Sequence, residues 1–171
     1  MASLIEELIS VLEEECVIYE NLYDVSTKKT EVIVKADIDE LQKITEHEQN
    51  VIDEVLVLEK RRQTIVSNIA VVLNQNPKTL TIADIIRIME NQPQFRQPLS
   101  ELHKRLRSIA QQLQQTNVWN RELLENALEM TEFNINILQT AGQAPETANY
   151  DKKSYSGDLL GVATSQFDSK S

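Results

Sequence analysis

The sequence predicts an all-α protein: an antiparallel, coiled-coil-like bundle of three long helices plus one short helix, followed by a disordered C-terminal tail. Apolar residues recur at three and four through most of the chain, with no strand-like alternation of any length. All three glycines, Gly142, Gly157 and Gly161, lie in the last thirty of the 171 residues. Caps and prolines fall between the periodic segments. The expected division is a helical domain over 1–141, with helices at about 3–35, 38–75, 82–90 and 98–141, and a flexible tail over 142–171. Without glycine in the first 141 residues, a Rossmann loop, a P-loop and a glycine-turned β-hairpin are excluded.

The first helix opens on Ser3-Leu-Ile-Glu6, the S-x-x-E pattern of a capping box. Its apolar positions are Ile5, Leu8, Ile9, Leu12, Cys16, Tyr19, Leu22 and Tyr23, then Ile33 and Val34 after a polar gap. Seven acidic residues precede the first base, Lys28, which suits the helix dipole. Asp37-Ile-Asp-Glu40 is a second capping signature, leaving a turn of two or three residues around Ala36 and making the two helices antiparallel.

The second helix carries a heptad-like seam of Leu41, Ile44, Glu48, Val51, Val55, Leu58, Arg62, Ile65, Ile69 and Val72. Its two charged members, Glu48 and Arg62, are roughly 21 Å apart along one helix. Each must therefore meet a polar group on another helix or solvent. Asn76-Pro77 ends this helix, because the residue before proline is pushed out of the α region. A short amphipathic helix follows, with Ile82, Ile85, Ile86 and Met89 on one face. Pro93 and Pro98 bracket an open loop, and Pro98 sits in the first turn of the last helix, where its missing donor costs nothing.

That last helix has more apolar surface than one seam needs. At ~100° per residue, Leu99, Leu102, Leu106, Ile109, Ala110 and Leu113 fall within an arc of about 100°. From Trp119 to Ala141 the apolar set spreads over about 220°. One component, Leu124, Ala127, Leu128, Ile135 and Leu138, continues the first seam; the other, Trp119, Leu123, Met130, Phe133 and Ile137, is a new stripe interrupted by Asn126. A helix with two apolar faces has two partners. Either the short helix and the 77–98 loop cover both stripes, or one stripe is free to receive an amphipathic helix from another protein. A straight-helix projection drifts ~20° per heptad against a supercoil and does not choose the inward stripe. Asn117 and Asn120 fall within the projected seam, either as buried amides that set register or as an exposed polar patch.

Charge narrows the function. The net charge of −10 arises almost wholly in residues 1–75, which hold 16 acidic and 7 basic residues. An acidic chain without basic clusters binds nucleic acid and anionic membranes poorly. No run approaches a membrane span, Glu6 and Glu7 interrupt what would be a signal peptide, and a cytosolic location is expected. Cys16 is the single cysteine, placed on the seam as a core side chain with no disulfide partner in the chain. His47 and His103 lack both the Glu-x-x-His spacing of di-iron bundles and an H-E-x-x-H motif, so they read as surface residues. Glu13, Glu14 and Glu15 point in successive directions and read as a solvated face. No catalytic constellation, metal site or cofactor site is expected, and the chain does not read as an enzyme.

The run Leu8, Leu12, Glu15, Tyr19, Leu22, Lys28-Lys29, Val32-Ile33, Ala36-Asp37, Leu41, Glu48-Gln49, Leu58-Glu59 and Arg61-Arg62 resembles the FlgN-type flagellar export chaperones. So do Asn117-x-x-Asn120-x-x-Leu123-Leu124 and the later Tyr150-Asp151-Lys152-Lys153. The resemblance implies a non-enzymatic chaperone of the bacterial cytoplasm. Such a chaperone binds the C-terminal helical region of hook-associated (hook–filament junction) proteins, prevents their premature association and delivers them to the type III export gate. It places the client on the last helix, at Trp119, Leu123, Leu124, Leu128, Met130, Phe133, Ile137 and Leu138, which coincides with the surplus apolar surface. It makes Tyr150 and Tyr155 the candidates for the export-gate contact. Here the chain departs from the family, whose tail runs from its Tyr-Asp-Lys element straight to glycine, whereas Ser154 follows here and Gly157 comes later. A self-associating coiled-coil scaffold without an export role is the alternative; a vacant apolar face predicts weak self-association in either case.

Overall fold

The structure is a computed structural model and describes residues 1–142. Four helices make it up: α1 (Ala2–Lys35), α2 (Ile38–Val72), α3 (Ile82–Ile88) and α4 (Pro93–Gly142). The described residues contain no strand. The expected tail and its candidate contacts Tyr150 and Tyr155 lie outside the described residues. Packing divides the chain into Met1–Met130 and Thr131–Ser171.

Cross-helix pairs fix the topology of the first unit. Glu14 meets Arg61, Glu15 meets Arg62, Tyr19 meets Glu59 and Lys29 meets Glu48, so α1 and α2 are antiparallel. Cys16 approaches Leu102, Glu20 pairs with Arg105 and Thr30 bonds Asn120, so α1 and α4 are parallel. The first helix thus lies between two partners. The two charged interruptions of the α2 seam find theirs on α1: Arg62 on Glu15, and Glu48 on Ser26 and Lys29.

Both helix ends that need a left-handed residue do without glycine. Ala36, at φ 54°, closes α1, with its N–H donating to the Ile33 carbonyl and that of Asp37 to the Val32 carbonyl. Asn74, also at φ 54°, closes α2 with the equivalent bonds from Asn74 to Val71 and from Gln75 to Ala70. This is the Schellman arrangement, which satisfies the orphan carbonyls of the last turn. Asp37 then caps α2 by accepting from the Glu40 N–H at 3.0 Å. At the head of α3, Thr81 and Asp84 cap each other reciprocally.

Three local expectations are corrected. Helix α1 begins at Ala2 behind Met1 with no side-chain cap, so Ser3 and Glu6 do not form a capping box. Helix α2 ends at Val72, which is exposed, while Leu73 packs on the core instead. Residues 93–97 are helical and Pro98 lies inside α4, where an open loop was expected. Pro98 forfeits one backbone bond, at a cost of about 3 kcal/mol in a full helix interior. Starting the helix early stacks Phe95 one turn ahead of Leu99 on the core side, and Leu99 is fully buried.

The main core joins the start of α1 (Ile5, Leu8, Leu12, Cys16) to the end of α2 (Ile65, Val66, Ile69), to α3 (Ile82, Ile85) and to Leu99 and Leu102 of α4. A smaller cluster of Leu22, Val51, Val55 and Leu113 continues along the bundle. Truncating a fully buried member such as Leu8 to Ala costs about 2–5 kcal/mol. The short helix therefore covers the beginning of α4, far along the sequence from its surplus apolar surface.

Candidate functional site

The buried face of α4 is regular through its first five turns: Leu99, Leu102 and Leu113 are buried, with Leu106, Ile109 and Ala110 half-buried. One turn pair later a polar residue takes the inward position. Asn120 is buried, its Oδ1 accepting from the Thr30 hydroxyl at 2.6 Å and its Nδ2 donating to the Ser26 carbonyl at 2.9 Å. Ser26, itself fully buried, donates its hydroxyl to Glu48 Oε1 at 3.2 Å, and Lys29 reaches Glu48 Oε2 at 2.6 Å. This polar chain ties α4, α1 and α2 together at one level and sets their register. Asn117 is exposed. Of the two seam asparagines, one is a register-setting amide and the other a surface residue.

Beyond Asn120 the packing thins out. Leu123 and Leu124 are half-buried, whereas Leu128 and Met130 are 63% and 68% exposed. The reason is register. The α1–α4 pairs are separated by 85 to 94 positions in sequence, which sets Lys35, the last residue of α1, level with about residues 120–129 of α4. At that level α1 gives out, and Leu128 and Met130 stay exposed. Within the second unit the described residues, 131–142, are the last turns of α4. There Phe133, Ile135, Ile137 and Leu138 are 47–71% exposed. Phe133 and Ile137 line a shallow apolar depression with Asn136, Thr140 and Ala141.

Leu128 and Met130 in the first unit, and Phe133, Ile135, Ile137 and Leu138 in the second, are thus exposed members of the two stripes. Of the residues singled out from the sequence, Trp119, Leu128, Met130, Phe133, Ile137 and Leu138 are exposed, and Leu123 and Leu124 lie at the edge of the bundle. Trp119 is 55% exposed and lines an open groove of about 540 Å³ between α1 and α4, with Tyr23, Thr27, Glu31, Val118 and Glu122 among its walls. Sequence periodicity missed this groove. On its α1 wall only Tyr23 belongs to the apolar pattern; Thr27, Thr30 and Glu31 flank it and read as surface in a single-helix pattern.

Titratable groups that depart from ordinary values lie elsewhere, in the bundle. Burial holds the Glu15 carboxyl above its usual range, against the opposing pull of Arg62. Burial likewise raises the Cys16 thiol, which approaches only the Leu102 carbonyl, at 3.7 Å. Glu15 is fully buried, which corrects the reading of Glu13 to Glu15 as a wholly solvated face. His47 is exposed and His103 half-buried. Among the described residues, no group of three or more His, Cys, Asp or Glu side chains could hold a metal ion, and no helix is long and apolar enough to cross a membrane.

The candidate site is thus made of large exposed apolar side chains of α4. Comparison with curated proteins and with solved structures gave no match. The family model described as FlgN protein matches residues 1–155, and the chain belongs to this family of flagellar export chaperones.

Proposed function

We propose that this protein is a cytoplasmic chaperone of flagellar type III secretion. It binds the C-terminal helical region of hook-associated proteins, prevents their premature association and delivers them to the export gate. The client helix lies along α4 on Trp119, Leu123, Leu124, Leu128, Met130, Phe133, Ile137 and Leu138, and Tyr150 and Tyr155 contact the export apparatus. The observation that supports this reading is the unpaired apolar surface of α4, large side chains at helical spacing left 47–71% exposed from Leu128 onward. Such a face suits an amphipathic helix that buries its own apolar side in return. No catalytic step, cofactor, nucleic acid or membrane insertion is assigned.

Phe133→Asp and Leu123→Asp test it. Each is expected to abolish co-purification of a hook-associated protein while helical circular dichroism is retained; undiminished capture by both variants would overturn the reading. A self-associating scaffold draws on the same exposed face. Sedimentation separates the two: a monomer, or a weak dimer that client dissolves, supports the chaperone, and a tight oligomer indifferent to client supports the scaffold.

A further inference from the structure

The groove beside Trp119 carries an electrostatic pattern of its own. Tyr23 and Trp119 supply two aromatic walls, and Glu31 of α1 and Glu122 of α4 stand at its margin. No Lys or Arg lines it. Glu31 meets Lys35 only at 3.9 Å with both side chains exposed, so little holds it there. On α4 the acidic residues Glu122, Glu125 and Glu129 recur at three and four, about 80–140° around the helix from the line Trp119, Leu123, Met130. Among the described residues, Glu122 and Glu129 pair with no base, and Glu125 has only the exposed Arg121 at 3.7 Å. The apolar line is therefore flanked on one side by a row of negative charge, and at Trp119 that row meets aromatic faces.

We propose that the occupant of this surface is an amphipathic helix bearing Arg or Lys along one flank, with one such cation seated in the groove between Tyr23 and Trp119 and facing Glu31 and Glu122. A planar guanidinium stacks on an aromatic face and pairs with a carboxylate at once, so Arg fits the groove best. The basic flank selects the partner and sets its register, while the apolar line supplies the burial. This inference rests on the proposal that α4 receives a partner helix.

The test uses the full chain and two synthetic amphipathic peptides of about three heptads with the same leucine seam, one with Arg and one with Glu on the flank. Trp119 is the single tryptophan, so its emission reports occupancy of the groove directly. The Arg-flanked peptide is expected to bind about tenfold more tightly than the Glu-flanked one and to shift the Trp119 emission. That preference is expected to vanish in the triple variant Glu31→Gln/Glu122→Gln/Glu129→Gln, whose substitutions are all at exposed positions. Equal affinity for the two peptides, or Arg-peptide binding that leaves Trp119 emission unmoved, would overturn the basic-flank inference and leave the apolar docking face standing. Binding of neither peptide would overturn both.

Discussion

Glu15 and Arg62 form an ion pair around the most buried carboxylate of the bundle: Arg62 Nε lies 2.8 Å from Glu15 Oε1, Glu15 is wholly buried, and Glu15 Oε2 has no hydrogen-bond partner among the described residues. Arg62 keeps part of its guanidinium in water, with 30% of its side chain exposed. The two members of the pair are therefore unequal, because only the carboxylate depends on the other for its charge.

Removing Arg62 is expected to cost far more than neutralising Glu15. Arg62→Met leaves a buried carboxylate without a counter-charge, a loss of about 2–3 kcal/mol. Glu15→Gln leaves a guanidinium that water can still solvate, and is expected to stay within about 1 kcal/mol of the wild type. Denaturant unfolding of both variants measures the difference.

The same pair gives a pH dependence of definite sign. Burial raises the folded-state Glu15 above its ordinary value of 4.5, so above that value the folded chain binds this proton more tightly than the unfolded chain. The stability contributed by this group is greatest below 4.5 and falls as pH rises through the folded value. Thermal midpoints of Glu15→Gln relative to wild type are expected to rise as pH increases over that window and then level off. A constant difference would show that Glu15 titrates alike in both states.

Ala36→Gly is expected to stabilise the protein by about 0.5–1 kcal/mol, since alanine is strained at the φ of 54° this turn requires and glycine is not. Asn74 occupies the same conformation with a side chain that tolerates it, so Asn74→Gly is expected to change stability by less than about 0.5 kcal/mol. Thermal unfolding of the two variants checks the contrast.

Asn120→Ala is expected to lower stability by about 1–3 kcal/mol, because it removes two hydrogen bonds at a buried position. The exposed Asn117→Ala is expected to change it by less than about 0.5 kcal/mol. Equal effects would remove Asn120 from its register-setting role.

Deleting residues 143–171 is expected to leave capture of a hook-associated protein intact and to abolish engagement of the export gate. Loss of capture in the truncated chain would place those residues in the client site. Interaction assays of the truncated chain with client and with the export apparatus report the two outcomes separately.

The sequence by itself determined the helical class, the tight α1–α2 turn at Ala36 and the excess of apolar surface after Trp119, because helical period and capping are local properties written in spacings of three and four. It also marked Glu48 and Arg62 as residues in need of partners. Only the tertiary structure decided who those partners are. Glu15 stands in a run of three glutamates and looks solvated until the α1–α2 register brings Arg62 over it. The helical run through Pro98 is similarly non-local, since the burial of Leu99 against three other elements outweighs one lost backbone bond. Whether Leu128 and Met130 of α4 were core or open turned on where α1 stops. An angular projection shows which way a side chain points, and not whether another helix is long enough to stand opposite it; α1 ends at Lys35, and Leu128 and Met130 are left facing water.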